Sequence, residues 1–181
     1  MNGFIHFVLG SSRSGKSRRA ESLAVATGQP VAYIATYATD LADEEMQLRV
    51  ERHQQQRPSH WKTIENRFDL ENIVTETSGV LFLLDCLTLW LSFHLTAGRS
   101  SDQILRELEQ TLLRLRKLER SLIIVSNEVG AGLVPSSPES RAFRDLCGLA
   151  NQLVAVHATV VELIVAGLPL VLKGGASAVG R

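Results

Sequence analysis

The feature that most constrains this chain is an apolar run that ends in a glycine-bounded loop. Phe4 to Leu9 is apolar apart from His6, and it leads straight into Gly10-Ser11-Ser12-Arg13-Ser14-Gly15-Lys16-Ser17. That octapeptide meets the spacing GxxxxGK[ST] at every fixed position. Ser17 to Ala26 has helical composition and closes at Gly28. A strand, a glycine loop and a helix in that order form a phosphate cradle. The glycines let backbone N–H groups curl round phosphate oxygens, and the helix N-terminus adds its partial positive charge. In such a loop Lys16 reaches the β- and γ-phosphates and Ser17 ligates Mg2+. The chain is therefore expected to bind a nucleoside triphosphate.

Strand-like and helix-like stretches alternate through the rest of the sequence. Val31 to Ala35 is a second apolar run, opened by Pro30. Asp43 to His53 is polar, with Met46, Val50 and His53 on one helical face. Trp61 to Glu65 reads as a short strand after the break at Pro58, and Leu70 to Thr77 as a short helix. Val80 to Asp85 is a buried strand that ends in a carboxylate. Asp102 to Leu118 is a helix with the stripe Ile104, Leu105, Leu108, Leu112, Leu115 and Leu118. Leu122 to Val125 is another buried strand. Ser140 to His157 is a helix entered through Pro138. Val160 to Ala166 and Leu170 to Leu172 form a closing pair of strands, turned by Gly167-Leu168-Pro169. Continuous apolar strands between helices require a mainly parallel sheet covered on both faces. Right-handed crossovers then bring the strand ends to one edge. The expectation is one α/β P-loop domain over residues 1–173 and a small flexible tail, 174–181.

A P-loop needs a second oxygen ligand for Mg2+. Asp85, at the end of a buried strand, is placed to supply it. Asn127 and Glu128 follow the next strand. They either position a substrate or cap the turn at Gly130 and Gly132. Arg49, Arg52, His53, Arg57, His60 and Lys62 form a basic segment around Trp61. Neighbouring guanidinium groups disfavour a cationic imidazole, so a neutral histidine there is a possible nucleophile, and the arginines would steady a phosphate that it attacks. A solvated basic helix face is the other reading.

Charge and cysteine content narrow the partners. Lys+Arg and Asp+Glu are both 19, so the formal net charge is +0. A balanced chain lacks the field that holds a nucleic-acid backbone. The two cysteines, Cys86 and Cys147, form no CxxC and read as small core residues of a cytoplasmic protein. The apolar N-terminal run is too short to span a membrane.

Further segments give the chain a family likeness. They are Tyr33-Ile34-Ala35-Thr36, Asp43-Glu44-Glu45-Met46, Arg49-Val50-Glu51-Arg52-His53 leading to Arg57-Pro58 and Trp61, and Leu84-Asp85-Cys86-Leu87-Thr88-Leu89-Trp90. Ser126-Asn127-Glu128-Val129-Gly130-Ala131-Gly132-Leu133-Val134-Pro135, Phe143-Arg144-Asp145 and Ala166-Gly167-Leu168-Pro169-Leu170 follow. With the P-loop, and in this order, they resemble the bifunctional adenosylcobinamide kinase / adenosylcobinamide-phosphate guanylyltransferase family of cobalamin biosynthesis. The resemblance implies a RecA-like P-loop domain, a homotrimer, a corrinoid substrate and two reactions. In the first, ATP or GTP phosphorylates the aminopropanol hydroxyl of adenosylcobinamide. In the second, GTP loses pyrophosphate as GMP moves to a histidine and then to the new phosphate, giving adenosyl-GDP-cobinamide. It implies nucleotide contacts at Gly10 to Ser17, at the Thr36–Tyr37 turn, and at Arg57, Glu65 and Asp85. It implies a guanylylated histidine at His53, with His60 as the alternative. Ser11 and Ser12 stand where the family usually has glycine and alanine.

Two other readings compete. A single-function P-loop kinase would phosphorylate an alcohol and carry no covalent GMP. A RecA-like nucleotide switch would have a macromolecular partner and no small-molecule product.

Overall fold

A computed structural model describes residues 3–37 and 57–175. The helical expectation for Asp43 to His53, and His53 itself, lie outside those residues. Seven strands and five helices are present among the described residues. In chain order they are β1 (Ile5–Gly10), α1 (Lys16–Ala26), β2 (Val31–Ala35), β3 (Lys62–Glu65), α2 (Leu70–Glu76) and β4 (Leu81–Asp85). There follow α3 (Leu87–Thr96), α4 (Ser101–Lys117), β5 (Leu122–Asn127), α5 (Pro138–His157), β6 (Val160–Val165) and β7 (Leu168–Lys173).

The strands form one sheet in the order β3-β2-β4-β5-β1-β6-β7. Every pairing is parallel except β6 with β7. All six residues of β1 and all five of β2 are buried, as strands covered on both faces must be. One face packs against α1 through Ala20, Leu23 and Ala24, which meet Val8, Leu83, Ile123 and Val125. The other face carries the larger core, with Phe7, Ile34, Phe82 and Ile124 under α2 to α5. Parallel strands linked by helices place their C-terminal ends on one edge, where loops converge. This is the mainly parallel α/β P-loop NTPase fold expected from the sequence.

Four elements differ from expectation. The sequence gives no sign of α3, because Leu87–Thr96 has no polar face. Leu87, Trp90, Leu91 and His94 are all buried, so the segment lacks the apolar–polar contrast that marks a surface helix. Strand β5 runs on to Asn127, since Ser126 and Asn127 stay paired with Leu9 and Gly10 although they are polar. The last turn is Ala166-Gly167, with φ of 51° and 82°, and Leu168 and Pro169 already belong to β7. Two left-handed residues in succession suit the twist of a tight hairpin. Pro169 is tolerated because β7 is an edge strand and a missing N–H costs no ladder bond there. Helix α4 starts one residue earlier than expected, fixed by a capping box in which Ser100 and Gln103 satisfy each other's backbone N–H.

Candidate active site

The cradle forms where β1 gives way to α1. Gly15 has φ of 96°, a left-handed conformation that favours glycine, and its carbonyl accepts the N–H of Arg19 at 3.0 Å to start the helix. Gly10 is needed for space. A Cβ there would run into Ser14 Oγ and lie 2.9 Å from the carbonyl oxygen of Ile164. The loop closes on itself, with the Ser14 N–H donating to the Ser11 carbonyl at 3.2 Å. Lys16 Nζ donates to the same carbonyl, also at 3.2 Å. The ammonium is thus drawn into the loop that would surround the phosphates. Ser14 Oγ is buried without a partner.

The hairpin of β6 and β7 braces the cradle from behind. Gly167 donates its N–H to the Ser14 carbonyl at 2.9 Å. Nearby, Arg19 makes two hydrogen bonds to Glu162 of β6, Nε at 2.8 Å and Nη2 at 2.7 Å. The Glu162 side chain is buried, and the Arg19 hydrogen bond holds its carboxyl below the usual carboxylate range. Burial keeps His6, beside Glu162, neutral by lowering its own pKa. This fork fastens α1 to β6, so the helix dipole points at a fixed place.

Asp85 stands across the edge from the cradle, one strand removed, because β5 lies between β1 and β4. Leu81 and Leu83 pack on the α1 side of the sheet, so Asp85 faces that side by strand alternation. Tyr33 donates its hydroxyl to Asp85 Oδ2 at 2.9 Å. One turn beyond Ser17 on α1 is Glu21, with a buried, unpartnered Oε1. Burial first, and then the charge of Asp85, push the Glu21 carboxyl up to about 7.

Arg57 and Glu65 extend the site along the edge. The Arg57 guanidinium carbon lies 3.8 Å from the centroid of the Tyr33 ring, which also stacks on Trp61 at 6.3 Å. Arg57 Nη1 is 3.7 Å from Glu65 Oε1. Arg57, Ser59, Trp61, Thr63 and Glu65 line a cavity of about 200 Å3. Tyr33, Asp85, Arg57 and Glu65 thus form one connected strip.

Thr36 is buried, and its hydroxyl donates to the Cys86 carbonyl at 2.7 Å while accepting the Cys86 N–H at 2.8 Å. Its side chain fastens β2 to the Asp85 segment. Tyr37 has a buried hydroxyl with no partner. His60 is exposed in the turn that enters β3, at the opposite end of that strand from Glu65. Glu128 caps its own turn, its Oε1 accepting the Gly130 N–H at 3.1 Å. Burial pushes Cys86 up to about 11 and Cys147 to about 12, so neither thiol is a nucleophile at neutral pH.

Sequence reasoning missed Tyr33 and Glu21. Glu21 had a local signal, its spacing of four from Ser17 on one helical face. Tyr33 had none, because its meeting with Asp85 depends on the register of β2 against β4.

Comparison with known proteins follows the same lines. Residues 6–172 match the family model described as cobinamide kinase / cobinamide phosphate guanyltransferase. The bifunctional adenosylcobalamin biosynthesis protein CobP of Pseudomonas aeruginosa is 41% identical over 169 residues, covering 92% of this chain and 96% of that protein. The bifunctional adenosylcobalamin biosynthesis protein CobU of Escherichia coli is 34% identical over 180 residues, covering 92% and 98%. Its namesake in Salmonella typhimurium is 33% identical over the same length and coverage.

Proposed function

The chain belongs to the cobinamide kinase / cobinamide phosphate guanyltransferase family, and we propose from that premise how its residues divide the work of the two reactions. It is a bifunctional enzyme of adenosylcobalamin biosynthesis that uses nucleoside triphosphates and acts on a corrinoid. The observation that carries the reading is the cradle of Gly10 to Ser17 set one strand away from Asp85.

In the kinase step, the backbone N–H groups of residues 10–17 and Lys16 hold the phosphates of ATP or GTP. They stabilise charge that builds on the transferred group without having to reorganise. Ser17 and Asp85 offer a hydroxyl and a carboxylate, oxygen donors that suit Mg2+. Tyr33 engages one Asp85 oxygen and leaves the other for the ion. When bound, Mg2+ would neutralise phosphate charge. The rest of the nucleotide runs along Tyr33 toward the cavity of Arg57 and Glu65, beside the Thr36–Tyr37 turn. The alcohol of adenosylcobinamide receives the terminal phosphate.

In the second reaction His53 attacks the α-phosphate of GTP, and pyrophosphate leaves. The GMP then passes to the corrinoid phosphate, giving adenosyl-GDP-cobinamide. A covalent stage divides one hard transfer into two easier ones. A cradle built for the γ-phosphate needs a nucleophile from a separate segment to act at the α-phosphate, and the arginine-rich run around His53 supplies one.

The product assay is the direct test. The enzyme is incubated with adenosylcobinamide, first with ATP and then with GTP, and the corrinoid is weighed by mass spectrometry. The expected result is a gain of one phosphate, then of one GMP. A corrinoid that gains phosphate only would leave the single-function kinase, and one that gains nothing would sink both.

Association into a homotrimer is part of the proposal. Edge strand β7 exposes Leu168, Leu170, Val171 and Leu172, and Val165 adds to the same hairpin. A long apolar edge of this kind is covered in a working protein. Sedimentation at micromolar concentration should give about three times the mass of the chain; a monomer would count against it. No helix among the described residues is long and apolar enough to cross a membrane. We place the enzyme in the cytoplasm, where unpaired Cys86 and Cys147 stay reduced, a placement that cell fractionation checks.

A further inference from the structure

Asn127 ends β5, the strand between the cradle on β1 and Asp85 on β4. Its Cα is paired with that of Gly10, the first residue of the cradle. Ile123 and Val125 pack with Ala20, Leu23 and Ala24 of α1, so alternation turns the Asn127 side chain to the same side as the cradle and Asp85.

The backbone around it is fully engaged. Its N–H donates to Thr88 Oγ1 at 2.9 Å, and its carbonyl accepts from Asn151 Nδ2 at 3.2 Å. The next N–H, of Glu128, donates to the Gly10 carbonyl at 3.2 Å. Oδ1 of Asn127, by contrast, is buried and has no hydrogen-bond partner. Leaving such an acceptor unpaired costs stability. A backbone held rigidly at the site, carrying a side chain with one acceptor unsatisfied, fits a donor that arrives with a ligand.

The chemistry of the amide identifies that donor. Phosphate oxygens only accept, so Oδ1 gains nothing from the phosphates held in the cradle. A hydroxyl does donate. We propose that Asn127 Oδ1 accepts the hydrogen bond of the alcohol that attacks the terminal phosphate, an inference that rests on the kinase half of the function above. Asn127 is only part-buried, and the terminal torsion of asparagine is broad, so a turn of the amide brings the acceptor to the cleft. In the step, the alcohol oxygen bonds to the terminal phosphorus as the bond from that phosphorus to its bridging oxygen breaks. The nucleoside diphosphate leaves, and the hydroxyl proton passes to solvent. The amide orients the nucleophile and keeps no proton.

The two reactions provide an internal control, because guanylylation of the enzyme by GTP uses no alcohol. For Asn127→Ala, kcat for adenosylcobinamide phosphorylation should fall about 100-fold, with KM for the nucleotide moving less than about three-fold. Phosphorylation should lose at least about ten times more than self-guanylylation, read with GTP labelled at its α-phosphate in the absence of corrinoid. Asn127→Ser, small and polar but too short to reach the same point, gives the same comparison if the alanine variant does not fold. Equal losses in both reactions with a lowered Tm would mark a structural residue and overturn the proposal. So would phosphorylation within about two-fold of wild type. Failure of the underlying function looks different: wild type would then phosphorylate no corrinoid.

Discussion

Lys16→Ala is expected to abolish nucleotide binding and with it both activities. Lys16 is the first residue of α1 and is 8% exposed, so its ammonium is held in the cradle and not spread over solvent. Its hydrogen bond to the Ser11 carbonyl places the charge inside the ring of N–H groups that would meet the phosphates. A charge fixed in a partly dry loop stabilises a phosphoryl transition state far more than the same charge in water. Its removal should lower kcat/KM for corrinoid phosphorylation by about a thousand-fold or more. Alanine is the best helix former, so α1 should persist and Tm should not fall. Binding of a fluorescent nucleotide analogue, together with turnover, provides the check. Kinase turnover at the wild-type rate would show that the cradle is not where the nucleotide binds.

His53→Ala should remove covalent GMP altogether and stop the sequence at the phosphorylated corrinoid. The experiment uses GTP labelled at its α-phosphate, and the bound label is tested for loss in acid and retention in alkali, the behaviour of a phosphorus–nitrogen bond. Wild type should carry such label and His53→Ala none, because the variant lacks the attacking imidazole. Neither cysteine can substitute, since burial keeps both thiols protonated. His60 is poorly placed, exposed at the entry of β3 while Glu65 at its exit belongs to the site. Label retained by His53→Ala would nevertheless move the role to His60 or another residue. Absence of label from a folded wild type that binds GTP would leave only the kinase.

The sequence carried the local parts of this protein. The P-loop was legible because its strand, loop and helix are contiguous, and each fixed position has a reason found within the loop: space beside Ser14 at Gly10, a left-handed backbone at Gly15, charge at Lys16. Buried parallel strands were legible for the same reason. Val31–Ala35 is apolar throughout, and the strand has those bounds. Asp85 could be singled out because a carboxylate at the end of an apolar run has few other uses. Where the local signal was absent, the element was missed: α3 has no polar face to give it a period, and the end of β5 is polar although paired.

The tertiary structure decided what depends on strand order and register. Neither can be read from one chain position, because a single-residue slip would send every side chain to the other face. The order β4-β5-β1 sets Asn127 between the cradle and Asp85, and the register of β2 on β4 gives Asp85 the hydroxyl of Tyr33. The same register lets the Thr36 hydroxyl clasp the backbone of Cys86. The hairpin that braces the P-loop through Gly167 joins positions more than 150 residues apart, an association that only the completed sheet could bring about.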